Sequence, residues 1–334
     1  MEIRISGAAK IHRGLVRLRV WSLPLVVTLA VAGCGASEEG GSSDGPKVAV
    51  LASVGLQDSG LGRATQKAGD LLEDEYGADV TVEGSILSST WADSLRNYAS
   101  RDYPLIIVND IVGNAAALEV GAEFPDTKFV VVNGYAGQEP NVSAVTYEWL
   151  EGGHLAGIVS GLLTQSNMVA GMGADKSVKP IELLMQGFEQ GVKKVNPDAT
   201  VQIVWNGIGA GDPIKATQQA KALVGEGADV IYGVANDGNK GLFQAATDAG
   251  IFGIGYGVDE NNLAPDAVVT STMVDYVGSI ERAYQRFEKG ELGSDVTVEG
   301  NDLDVWRLAD FHGLLDEQQA SEVEDAVKSY LEAS

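Results

Sequence analysis

Trp91, Trp205, Tyr256 and Tyr276 are the side chains whose type and position suggest chemistry, and the chemistry is recognition rather than reaction. Trp205 ends an apolar run at 201–205, and Trp91 opens a helical stretch after a serine-rich loop. Tyr256 and Tyr276 flank two later connections. Rings at such places stack on a flat ligand, for roughly 1 to 3 kcal/mol per stacked base. The plainer alternatives are core packing for the tryptophans and packing between two halves for the tyrosines. Trp149 and Trp306 suit packing better. Asn236 and Asp237 follow another apolar run in Asn-Asp-Gly and would match the edge of such a ring, although turn chemistry accounts for the same triplet. Edge partners matter because buried polar atoms left unpaired are costly.

Reactive sets are missing by comparison. There is no Gly-x-Ser-x-Gly elbow, no Cys/His pair and no phosphate loop, so no nucleophile is visible and the chain reads as a non-enzyme. Gly207-Ile208-Gly209-Ala210-Gly211 sits between strand and helix signals as a dinucleotide loop would. Its third spaced glycine is replaced by Asp212, which would repel a pyrophosphate. His154 and His312 stand far apart with no spaced partners, which argues against a metal site. No cofactor is expected.

One thiol is present, Cys34, after Val31-Ala32-Gly33. Arg4, Lys10, Arg13, Arg17 and Arg19 precede an almost unbroken apolar run at 20–31. A basic start, about a dozen apolar residues and small residues at the end make a secretory signal over 1–33. The run is short of the roughly 20 residues a spanning helix needs. Small residues leading into a cysteine resemble the lipobox of bacterial lipoproteins, in which the thiol takes a diacylglycerol. The alternative is a plain signal with a chance cysteine. Two acyl chains hold a protein stably on a bilayer, so the expected location is the cell membrane, lipid-anchored on the extracytoplasmic face. The chain carries a formal net charge of -24, and its first 33 residues hold five Lys/Arg and one acidic residue, which leaves about -28 on the rest. Such a body is repelled by nucleic acid.

These residues need a scaffold. Residues 35–45 hold nothing apolar larger than alanine, and 34–46 read as a flexible tether ended by Pro46. About 300 residues remain, more than one core usually serves, so two lobes are expected. Short continuous apolar runs at 48–52, 79–82, 105–108 and 129–132 alternate with helical stretches at 63–76, 91–100 and 115–123. Continuous rather than alternating apolar strands suit a parallel sheet buried on both faces. The rhythm pauses at 141–147. It resumes with helices at 154–163, 181–195, 213–224, 242–249 and 277–289 and strands at 168–171, 201–205, 230–233, 251–255 and 268–272. A short strand-like piece at 305–308 and an acidic helix at 316–331 close the chain. The expected fold is α/β: two doubly wound parallel-sheet lobes joined by a multi-strand hinge, a clamshell. Residues 47–146 with about 257–289 would form lobe 1, and 147–256 with about 290–334 lobe 2. Ligands of such sheets sit beyond the carboxyl ends of the strands, but this fold serves many functions.

An ordered series of motifs over about residues 48–290 resembles the basic membrane protein family of ABC-transporter substrate-binding lipoproteins, which includes purine nucleoside receptors. It comprises Pro125-Asp126-Thr127-Lys128-Phe129, Glu151-Gly152 with Leu155-Ala156-Gly157, Gly187-Phe188-Glu189-Gln190-Gly191 before Asn196-Pro197, Asp212-Pro213, Gly227-Ala228-Asp229, and Leu263-Ala264-Pro265-Asp266 before Thr270-Ser271. The resemblance implies a small ligand held between lobes, permease subunits as partners, and a first ligand loop at Asp58-Ser59-Gly60-Leu61-Gly62. There Asp58 matches the family's acid, and Leu61 stands at its ring position. It also places Asn114 near a second loop carboxylate and Asp259 at a further acid. Positions implied to grip a ribose hold Gly257 and Val274 instead, which favours a sugarless purine-like heterocycle, nucleobase ahead of nucleoside. A sugar-binding clamshell and a ligand sensor for a membrane partner are the alternatives.

Overall fold

The computed structural model describes residues 45–57, 60–207 and 211–333. Cys34, Asp58, Ser59 and the signal segment lie outside the described residues. The apolar runs form two sheets. The first holds β1 (Lys47–Leu51), β2 (Asp79–Glu83), β3 (Leu105–Asn109), β4 (Lys128–Val132), β5 (Val142–Tyr147) and β11 (Val296–Glu299), in the order β11-β5-β4-β3-β1-β2. The second holds β6 (Met168–Gly173), β7 (Thr200–Trp205), β8 (Val230–Val234), β9 (Phe252–Gly257), β10 (Val268–Val274) and β12 (Trp306–Leu308), in the order β12-β10-β9-β8-β6-β7. Every pairing is parallel except β10 with β12.

Continuous apolar strands arise because both faces are covered. Val48, Val50, Ile107 and Val130 face one core, while Ala49, Leu51, Ile106 and Val131 face the other. Helices supply the cover: α1 (Leu61–Tyr76), α2 (Trp91–Ala99), α3 (Asn114–Gly121) and α8 (Tyr276–Glu288) around the first sheet, and α4 (Trp149–Leu163), α5 (Lys179–Val195), α6 (Pro213–Gly225), α7 (Gly238–Ala249) and α9 (Glu317–Leu331) around the second. Asp212 caps α6, and Asp316 with Gln319 forms a capping box on α9.

Two boundaries differ from expectation. The chain keeps β10 in the second sheet and returns to the first only at α8, whereas residue 257 was the expected crossing. β11 rejoins the first sheet instead of the second, because its backbone pairs with the outer edge of β5. The pause at 141–147 is itself β5, broken in the apolar pattern by Ser143 and Thr146. The chain therefore crosses between lobes three times, at 147–149, 274–276 and 299–306.

Candidate binding cleft

The carboxyl ends of the central strands bring carboxylates and phenols together. On the first lobe, Asp110 follows β3 and is 6% exposed. Its Oδ1 accepts the Val112 N–H at 2.9 Å, and its Oδ2 accepts the Ser53 hydroxyl from the loop after β1. On the second lobe, Glu260 follows β9. Its Oε2 accepts from the Asn239 amide at 2.8 Å and from the Tyr256 N–H at 3.1 Å, and its own N–H donates to Ser271 Oγ at 3.0 Å. Burial pushes the Glu260 carboxyl up to about 7, with the charge of Asp259 adding, against the two hydrogen bonds. Gly255 makes room for it: a Cβ there would lie 2.4 Å from Ser271 Oγ and 2.9 Å from the Glu260 side chain.

Tyr256 and Tyr276 join the two sides. Tyr276 opens α8, which packs on β3 and β4 of the first lobe, and Tyr256 belongs to β9 of the second. Burial raises both phenols, each responding to the other, with the nearby Asp110 carboxylate adding to Tyr276. A Cβ on Gly60 would come within 3.3 Å of both Val258 methyls, so the lobes also meet at the mouth. Behind the pair lies the hinge. Tyr147 packs edge-on against Trp149 at 5.2 Å and Tyr276 at 6.0 Å, and Trp149 meets Trp306 at 5.8 Å. Arg282 binds the buried Glu299 at 2.8 Å, and Ser279 donates to the same carboxylate at 2.6 Å.

The other residues singled out in the sequence divide. Trp205 is half-buried over Gly173, where a Cβ would collide with its ring at 2.5 Å, and it packs beside Ile181 at the start of α5. Trp91 is 1% exposed and belongs to the first lobe's core against Gly113, so it walls the core and not the cleft. The amide of Asn114 is committed to its own lobe: its oxygen accepts from Tyr135 N at 2.7 Å and Ala136 N at 3.1 Å, and its nitrogen donates to Ala136 O at 2.9 Å. Leu61 starts α1 and packs into the core. Asn236 is exposed with a φ of 52°, and Asp237 pairs with Lys240 at 2.6 Å. Asp259 takes the Asn261 N–H at 3.1 Å and meets His312 Nε2 at 3.2 Å. Ser53, Asp110, Asn239 and Glu260 were not anticipated. The signal for Asp110 was a carboxylate placed directly after the buried run 105–109. Among the described residues, no three His, Cys, Asp or Glu side chains converge as metal ligands would.

A family model described as ABC transporter substrate-binding protein PnrA-like, Bmp, matches residues 46–332. The chain belongs to the Bmp family. Bmp proteins are extracytoplasmic solute binders of ABC transporters rather than catalysts, and no helix among the described residues is long and apolar enough to cross a membrane. The transcriptional activator protein med of Bacillus subtilis is 26% identical over 314 residues, covering 91% of this chain and 94% of that one. A purine-binding protein of Brucella abortus is 28% identical over 186 residues, 55% of this chain and 51% of its own length. The solved ABC transporter solute-binding protein of Conexibacter woesei superposes with a TM-score of 0.67 at 22% identity, over 86% of this chain and 97% of that one. That likeness is one of fold: two parallel-sheet lobes.

Proposed function

We propose that this Bmp-family chain captures a purine-like heterocycle, a nucleobase or a nucleoside, between its lobes and delivers it to the permease subunits of an ABC importer. The observation that carries the reading is the convergence of Asp110, Tyr276, Tyr256 and Glu260 from both lobes at the strand ends. A planar ring with several edge donors meets carboxylate acceptors there, and Trp205 at the end of β7 supplies a face for stacking. The open lobes bind the ring on one side, and closure brings Tyr256 and Glu260 over it. Only affinity that differs between the open and shut states drives that motion. The shut lobes then offer the permease one composite surface, and no bond is made or broken.

The same reading has Cys34 carrying a diacylglycerol that holds the protein outside the cell. Replacing it, Cys34→Ser, should move the protein from the membrane fraction to the soluble extracytoplasmic one. Protein held as firmly as before would remove the anchor. Ligand class is tested by thermal unfolding of the full chain with purine bases, nucleosides and sugars. A true ligand at 100 times its dissociation constant adds about 2.7 kcal/mol to stability. A midpoint raised by sugars alone would refute the purine reading.

A further inference from the structure

Two ties, two residues apart, hold the third crossing to opposite lobes. On the first-lobe side, Glu299 is 3% exposed, and its carboxylate accepts from Arg282 Nε at 3.0 Å, Arg282 Nη2 at 2.8 Å and Ser279 Oγ at 2.6 Å, all from α8. On the second-lobe side, the Asn301 N–H donates at 2.8 Å to Oε2 of Glu151, in the first turn of α4. Gly300 lies between them, and a Cβ there would sit 2.8 Å from that same Oε2. Glycine is what lets the carboxylate reach the Asn301 N–H. Gly152, the other half of the Glu151-Gly152 motif, admits the Trp306 ring, which would meet a Cβ at 2.4 Å. The motif therefore docks both ends of the stretch 301–306 onto α4.

Lobes that swing about the crossings must move residue 299 against residue 301. Three bonds hold Glu299, two of them from a guanidinium to a buried carboxylate, and one bond joins Asn301 to Glu151, so the second tie yields first. That tie is made in the arrangement where the lobes meet at the mouth, Gly60 against Val258. We propose that Glu151 is a latch: its carboxylate holds the Asn301 N–H while the lobes are together and lets go as they part, so that the resting protein visits the shut arrangement more often than unlatched lobes would. Less of the closing free energy then has to come from the ligand. The proposal rests on the lobe motion described above and not on the class of ligand.

The test is a double electron–electron resonance distance measurement between spin labels at Leu87→Cys and Ile214→Cys, in the ligand-free full chain carrying Cys34→Ser so that two thiols alone are labelled. Both positions are exposed. They follow β2 and β7, which lie at the opposite edges of the two sheets from β11 and β12, the strands flanking the third crossing. Glu151→Ala should shift the ratio of long to short separations about tenfold or more toward long, the worth of a hydrogen bond to a charged group. Glu151→Gln keeps an acceptor oxygen and should stay within about threefold of the wild type. Gly300→Ala sets its methyl against Oε2 and should follow Glu151→Ala, which decides the matter if Glu151→Ala does not fold. A folded Glu151→Ala or Gly300→Ala with the wild-type distribution would overturn the latch. One fixed separation in every variant, unchanged by added purine bases, would remove the lobe motion as well.

Discussion

The seam between α4 and α5 and the floor of the cleft are both buried, yet they are built on opposite rules. At the seam, glycines let two helix backbones touch: a Cβ on Gly153 would lie 2.0 Å from Leu184 O, one on Gly157 2.2 Å from Phe188 O, and one on Gly187 2.0 Å from Leu150 O. α4 also carries the half-buried His154, whose ring stacks on Tyr330 of α9 at 4.1 Å, and the buried Ser160. At the floor, the carboxyls of Asp110 and Glu260 and the phenols of Tyr256 and Tyr276 gather from both lobes. A seam of backbone on backbone fixes structure, and a floor of polar side chains offers groups to a ligand. The family-like segments Glu151-Gly152 with Leu155-Ala156-Gly157 and Gly187-Phe188-Glu189-Gln190-Gly191 belong to the seam.

The largest effect expected from breaking the seam is on stability. Gly157→Ala drives a methyl into Phe188 O, Val192 N and the Gly191 Cα, all backbone atoms, so the helices must part. A loss of about 3 kcal/mol or more in denaturant unfolding follows, with ligand affinity of the folded fraction unchanged. A loss below about 0.5 kcal/mol would mean that the contact is looser than described.

Removing the wall at the cleft rim has the converse signature. Trp205→Ala should weaken purine binding by about 5- to 150-fold in a titration, equivalent to roughly 1 to 3 kcal/mol, with a smaller change in stability. Equal affinity would show that Trp205 only packs on Gly173.

Smaller effects come from pH, and the two regions carry opposite signs. Burial, with Lys194 nearby, lowers the His154 imidazole to about 4. The unfolded chain takes up a proton near 6.5 that the native seam refuses, so stability is lost as pH falls from 6.5 toward 4. Glu260 is raised to about 7, so the native cleft keeps a proton that the unfolded chain releases near 4.5, and stability is lost as pH rises from 4.5 toward 7. Each amounts to about 1 to 3 kcal/mol. The two slopes oppose each other between pH 4.5 and 6.5 in the wild type. Glu260→Gln should unmask the His154 slope and His154→Phe the Glu260 slope, in unfolding measured across pH 4 to 7.5. Identical pH profiles for both variants would contradict the assignment.

Much of the scaffold was legible in the sequence because the strands are continuous apolar runs punctuated by helix stops. Asp212, set before Pro213, is a helix start of the same legible kind, whereas Asp316 caps the final helix instead of opening it. β5 was not legible, since Ser143 and Thr146 interrupt its run even though parallel pairing with β4 buries most of it. β11 was hidden too, its exposed Val296 and Val298 giving no core signal at a sheet edge. At the site, Tyr256 and Tyr276 were recognised as flanking connections, but their meeting depends on α8 crossing back to the first lobe. Asn114 and Trp91 misled because a loop tie and a core ring have the same residue types as ligand contacts. Asp110 and Glu260 became visible only when strands distant in sequence set them at one end of the two sheets.

The most direct measurement of the central claim, that one purine-like ring binds between the two lobes at the strand ends, is a calorimetric titration of the full chain with purine bases and nucleosides, beside Asp110→Ala and Val296→Ala. Val296 lies exposed at the amino end of the edge strand β11. One site per chain, weakened at least about tenfold by Asp110→Ala and little changed by Val296→Ala, is the predicted result. Saturable purine binding that Asp110→Ala leaves unchanged would contradict it.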